Sequence, residues 1–129
     1  MNIKRALITV YYKENLENFA KFLSENGVEI ISTGGTANYL ESKGINVVRI
    51  SEYTGFHEIL DGRVKSLHPK LFGGILSKSD KSTHEDQMGE LNIPKIDMVI
   101  VNFQPFEEIS QKTTLERELI EYVDIGGVA

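Results

Sequence analysis

Over residues 6–50 the hydrophobic period switches back and forth between that of a strand and that of a helix, and this alternation constrains the fold most. Ala6-Leu7-Ile8-Thr9-Val10 is an apolar, β-branched run of the kind buried on both faces of a parallel sheet. Leu16, Phe19, Ala20 and Leu23 follow at helical spacing, with Gly27 where a C-terminal cap belongs. Val28 to Ser32 reads as a second strand, Thr33-Gly34-Gly35-Thr36 as a turn, and Ala37 to Lys43 as a short helix closed by Gly44. Ile45 to Ile50 reads as a third strand. A βαβαβ order of this kind predicts an α/β fold, a mostly parallel sheet with right-handed crossovers.

The remainder is less regular. Residues 51–71 carry turn formers and charges without a sustained period, and predict an ordered loop with one helical turn. Phe72 to Leu76 reads as a short extended piece, Ser82 to Leu91 as a polar helix, and Asp97 to Asn102 as a buried strand with a polar residue at its carboxyl end. Thr113-x-x-Glu116 has the capping-box pattern, opening a helix with Leu115, Leu119 and Tyr122 on one side. Asp124-Ile125-Gly126-Gly127-Val128-Ala129 has the character of a loop leading into a further element, which predicts a domain, residues 1–129, incomplete at its C-terminus.

Composition narrows the function classes. At 129 residues one domain is expected, and 14 basic against 19 acidic side chains give a net charge of −5, unsuited to gripping nucleic-acid backbone. The chain has no cysteine, so disulfides and thiolate metal sites are excluded. Nothing approaches the ~18 apolar residues of a membrane span. The start lacks the pattern of a signal peptide, and the expected location is the cytoplasm.

Two stretches carry candidate chemistry. Thr33-Gly34-Gly35-Thr36 lies between a strand and a helix, where glycines turn N–H groups toward an anion and the helix N-terminus adds partial positive charge; the same residues also suit a plain N-capped turn. Asp61-Gly62-Arg63-Val64-Lys65-Ser66-Leu67-His68-Pro69 places two cations two residues apart. If extended, Arg63 and Lys65 face the same way and suit a phosphate or oxyanion; otherwise the segment is a solvated charged loop. Asn102 ends a strand where open parallel sheets bind ligands, or satisfies a turn there. Asp124 is a functional carboxylate or an N-cap. His57, His68 and His84 lack metal-site spacing, and no serine lies in a nucleophile elbow. The residues alone point to a small α/β domain that binds a phosphorylated small molecule, with Lys65 as the electrophilic candidate.

The blocks S-T-G-G-T-A, T-G-F-x-E-x-L-D-G-R-V-K-S-L-H-P-K, G-G-I-L, V-N-x-x-P-F and D-I-G-G-V, in this order, resemble the N-terminal domain of the bifunctional purine-biosynthesis enzyme family. That family joins phosphoribosylaminoimidazolecarboxamide formyltransferase to IMP cyclohydrolase. The resemblance implies a methylglyoxal-synthase-like three-layer sandwich and a dehydrating ring closure of formylated aminoimidazolecarboxamide ribotide to IMP, with no cofactor or metal. It further implies that Lys13, Thr33, Gly34, Gly35 and Thr36 cradle the 5′-phosphate, and that Arg63, Val64, Lys65 and Ser66 line the base and formyl end. Lys65 would stabilise the oxyanion. Val101, Asn102 and Ile125 would contact the base, and Asp124 would orient or deprotonate the amide. The full-length family implies a homodimer.

The chain also departs from the family pattern. Thr9-Val10-Tyr11-Tyr12-Lys13-Glu14 stands where the family has S-x-S-D-K-T, Gln104 replaces an active-site tyrosine, and a downstream helix bearing a catalytic lysine is not in this sequence. A catalytically impaired nucleotide-binding or regulatory domain of the same fold is therefore the rival expectation, with methylglyoxal synthase a distant third.

Overall fold

The computed structural model describes residues 2–127; Met1 and the last two residues of the terminal glycine-rich segment, Val128 and Ala129, lie outside them. Strand β1 (Arg5–Thr9) is central, helix α1 (Leu16–Glu25) crosses to β2 (Glu29–Ser32), and α2 (Gly34–Ser42) crosses to β3 (Val48–Arg49). The chain continues through α3 (Ile50–Thr54), α4 (Pro69–Leu76) and α5 (Ser82–Glu90) to β4 (Met98–Val101), then α6 (Phe106–Lys112) and α7 (Glu116–Ile120). The strands form one sheet in the order β3-β2-β1-β4, every neighbouring pair parallel. Leu7 registers with Ile31 on one side and Val99 on the other.

Side chains alternate across this sheet, so it carries two cores. Ala6, Ile8 and Ile30 face Leu16, Ala20 and Leu23 of α1 and Leu40 of α2. Leu7 and Ile31 face Ile50 and Tyr53 of α3, Leu71 of α4 and Ile96. The result is the expected α/β three-layer sandwich.

Four local expectations change. The third strand shortens to Val48–Arg49, because Ile50 turns into the second core as the first residue of α3. Phe72 to Leu76 is helical: His68 caps α4, its Nδ1 accepting from the Lys70 N–H at 3.1 Å, and Pro69 occupies the first turn. Gly74 is required there, since a Cβ would lie 2.7 Å from the Pro94 carbonyl oxygen. Thr113 does not open a capping box; it ends α6, its hydroxyl accepts from the Leu115 N–H, and α7 begins at Glu116. Finally, α2 begins at Gly34, so the glycine pair forms the first turn of the helix rather than a loop before it.

Candidate functional site

The chain leaves β1 toward β2 but returns to β4 on the opposite side of β1, which makes the carboxyl edge of β1 and β4 the switch point where open α/β sheets bind ligands. A cavity of about 180 Å³ opens there. Thr9, Val10, Tyr11 and Lys13 line it from the end of β1, and Thr33, Gly35 and Thr36 from the start of α2. Lys65 enters from the 60s loop, and Asn102, Gln104, Asp124 and Gly127 close it from the C-terminal part.

The α2 side is built to leave backbone donors available. Thr33 and Thr36 are buried, and their hydroxyls are engaged within the protein. The Thr9 and Thr33 hydroxyl oxygens lie 2.9 Å apart in a shared hydrogen bond. Thr36 Oγ1 accepts from the Val10 N–H at 3.1 Å and donates to its carbonyl at 2.9 Å. These hydroxyls brace the strand end against the helix. Intrahelical bonding starts with the Ala37 N–H to the Thr33 carbonyl, so the amides of Gly34, Gly35 and Thr36 have no partner inside the helix. A Cβ on Gly35 would meet no heavy atom within 4 Å, so the helix start faces open space. That is an anion-directed turn.

Asn102 holds the facing loop. Its Oδ1 accepts from the backbone N–H groups of Tyr11 and Tyr12, and its Nδ2 donates to the Tyr12 carbonyl at 3.0 Å. Of the two readings open in the sequence, turn satisfaction describes the bonds that Asn102 makes. The loop it holds carries Lys13, whose Nζ donates to the Tyr11 carbonyl at 3.0 Å. The Tyr11 and Tyr12 rings meet edge to face at 5.1 Å, and the Tyr12 hydroxyl donates to Glu108 of α6 at 3.3 Å. Desolvation and the Glu108 carboxylate push the Tyr12 phenol above its ordinary pKa.

Lys65 and Arg63 do not act as a pair. Ile59 and Val64 pair as an antiparallel bridge around Leu60, Asp61 and Gly62, which all have positive φ. This turn sends Arg63 away from the cavity, to the Ile120 carbonyl at 3.1 Å and the Glu121 carboxylate at 2.7 Å. Lys65 alone lines the cavity, and among the described residues it enters no ion pair. Asp124 lines it too, its Oδ1 accepting from the Gly126 N–H at 2.9 Å. Ser66 is buried beneath Gly126, where a Cβ would lie 2.5 Å from the Ser66 hydroxyl oxygen.

Of the sequence candidates, Lys13, Thr33, Gly35, Thr36, Lys65, Asn102 and Asp124 come together around the cavity, whereas Gly34, Arg63, Val64, Ser66, Val101 and Ile125 do not line it. Sequence reasoning did not select Thr9, Val10, Tyr11 or Gly127 as site residues. A position directly after a buried strand was the available signal for Val10 and Tyr11. Among the described residues no group of three or more His, Asp or Glu side chains could hold a metal ion, and no helix is long and apolar enough to cross a membrane.

A four-stranded parallel sheet with helices on both faces and a polar cavity at its carboxyl edge defines an α/β domain of the three-layer class. The chain belongs to the family described as the MGS-like domain, whose model matches residues 15–129. It is 52% identical over 125 residues to the bifunctional purine biosynthesis protein PurH of Clostridium acetobutylicum, covering 97% of this chain and 25% of that protein. PurH of Magnetococcus marinus is 54% identical over 127 residues, with 97% and 24% covered. A crystal structure of ForH superposes with a TM-score of 0.78 at 32% identity, over 98% of this chain and 64% of that one. The motif-based resemblance to the purine enzymes is thus borne out, and the chain spans about a quarter of the length of the PurH proteins it matches.

Proposed function

We propose that this domain performs the IMP cyclohydrolase reaction, closing formylated aminoimidazolecarboxamide ribotide to IMP with loss of water. The observation that carries this reading is the meeting of the α2 N-terminal turn, Lys65 and Asp124 around one cavity. The 5′-phosphate sits at the amides of Gly35 and Thr36, which line the cavity, with Lys13 supplying a counter-charge.

In the chemical step the carboxamide nitrogen attacks the formyl carbon. A C–N bond forms, the formyl C=O π pair moves onto oxygen, and Asp124 takes the proton the nitrogen loses. The Lys65 ammonium offsets the charge developing on that oxygen. The oxygen takes back the proton held by Asp124 and leaves as water together with the hydrogen of the former formamide nitrogen, whose electron pair forms the new C=N bond of the purine ring. Holding the two reacting groups of one ligand face to face supplies the rest of the acceleration. The same reading gives a cytoplasmic enzyme acting on purine ribotides as a homodimer.

The test is to incubate the protein with the formylated ribotide and follow IMP chromatographically. Formation of IMP above the uncatalysed rate is expected, together with its loss in Lys65→Ala. Binding of IMP without turnover would instead assign the domain a nucleotide-sensing role.

A further inference from the structure

The cavity is smaller than the ligand class proposed for it. At about 180 Å³ it falls below the ~300–1,000 Å³ of pockets that enclose drug-sized ligands. A sugar phosphate anchored at the α2 turn fills much of that space, so a heterocycle attached to the sugar reaches Lys65 and Asp124 with one edge while its plane extends toward the mouth.

Among the described residues Tyr11 is the aromatic residue that lines this cavity, and it is 42% exposed. Its backbone is fixed at both ends and its ring is braced on one edge. Asn102 accepts its backbone N–H, Lys13 Nζ donates to its carbonyl, and the Tyr12 ring packs edge to face against its own. Tyr12 is in turn tied to α6 through Glu108. An exposed ring on a fixed backbone, braced on one edge by Tyr12 and set beside cations and the α2 amides, has the form of a stacking ledge.

We infer that Tyr11 is a specificity-determining residue, the surface on which a planar heterocycle stacks, so that the site favours ribotides over sugar phosphates lacking a base. This rests on the reading of the cavity as a ribotide site. A neighbouring aromatic cavity, lined by Phe103, Phe106 and Tyr122, is the competing place for the base. It meets the anion site only through Gln104 and Asp124, whereas Tyr11 shares the cavity with Lys13, Lys65 and the α2 turn.

The experiment is a calorimetric titration of IMP and of ribose 5-phosphate into wild type, Tyr11→Phe, Tyr11→Ala and Phe103→Ala. The backbone bonds that hold the loop do not involve the Tyr11 side chain, so the fold should survive, and an unchanged thermal midpoint checks this. Base–aromatic stacking contributes ~1–3 kcal/mol. Tyr11→Ala should accordingly weaken IMP about tenfold or more while leaving ribose 5-phosphate within about twofold, and Tyr11→Phe should retain both. Equal losses for both ligands would make Tyr11 part of the phosphate site and overturn the inference. So would an IMP affinity that ignores Tyr11→Ala but falls in Phe103→Ala. Wild type that binds neither ligand would overturn the ribotide reading itself, an outcome distinct from the other two.

Discussion

Lys65 and Asn102 show how differently two polar residues at one cavity can act. Lys65 lines the cavity and among the described residues enters no ion pair, which suits a group needed when charge develops on the ligand. Replacing it by alanine should lower kcat on the order of 10²-fold while changing ligand affinity little, as measured by initial rates and binding side by side. Asn102 instead acts on the loop. Its oxygen needs to accept twice and its nitrogen to donate once. Asn102→Asp keeps the two acceptor bonds but sets a carboxylate oxygen against the Tyr12 carbonyl, and Asn102→Ala removes all three. Amide exchange at Tyr11 and Tyr12 should therefore quicken modestly in the aspartate variant and strongly in the alanine variant. Equal exchange in both variants would remove the clamp role.

At the scale of elements, two glycines show how much room the site's surroundings leave, one facing open space and one pressed against its neighbour. The first turn of α2 opens on empty space at Gly35, so Gly35→Ala adds a methyl that touches no protein atom. Alanine in a helical turn is favoured over glycine by ~0.5–1 kcal/mol, so the thermal midpoint should hold or rise. Affinity for ribose 5-phosphate should still fall about tenfold, because the methyl occupies the approach to the amides. At the other wall Gly126 lies on Ser66. Gly126→Ala places a Cβ 2.5 Å from the serine oxygen, so the hydroxyl must turn away or the 124–127 loop shift, and a modest loss of stability in denaturant unfolding is expected. Removing that oxygen with Ser66→Ala leaves the Ser66 Cβ at 3.9 Å, so the double variant should recover most of the loss.

Contacts of this second kind are also where the sequence was least readable. The strands and first helices were legible because period and caps are local signals, as with Leu16, Ala20 and Leu23 against β1. The helix α4 was read as extended because two glycines dominate Phe72 to Leu76. The need for Gly74 arises from Pro94, a residue on a different segment. Arg63 was grouped with Lys65 by spacing, but its orientation is set by a left-handed turn and by Glu121, 58 residues away. Lys65, Asp124 and the α2 turn were found by motif, while Tyr11 was seen as a departure from a pattern rather than as a wall.

Across the whole molecule the packing is uneven. Strands β1 and β2 are flanked by two buried clusters, whereas among the described residues α6 and α7 bury no side chain. Phe103, Phe106, Leu115, Ile120, Val123 and Ile125 all remain exposed. Openings of residues 106–120 should therefore cost much less free energy than openings of β1, with native-state hydrogen exchange as the readout. The cavity draws its walls from both regions: Thr33, Gly35 and Thr36 from the well-packed part, Gln104, Asp124 and Gly127 from the looser one. A ligand held between them is lost whenever the C-terminal segment swings away, so binding must stabilise that segment against opening. The gain is RT ln(1 + [L]/Kd), about 2.7 kcal/mol at a hundredfold excess over Kd. Under saturating IMP, amides in residues 102–127 that exchange by this opening should slow by up to about a hundredfold. Local fraying of α1, which does not release the ligand, should be unaffected. Uniform slowing throughout the chain would show that the C-terminal segment opens only with the core, and a lack of slowing in residues 102–127 would remove Asp124 and Gln104 from the binding site.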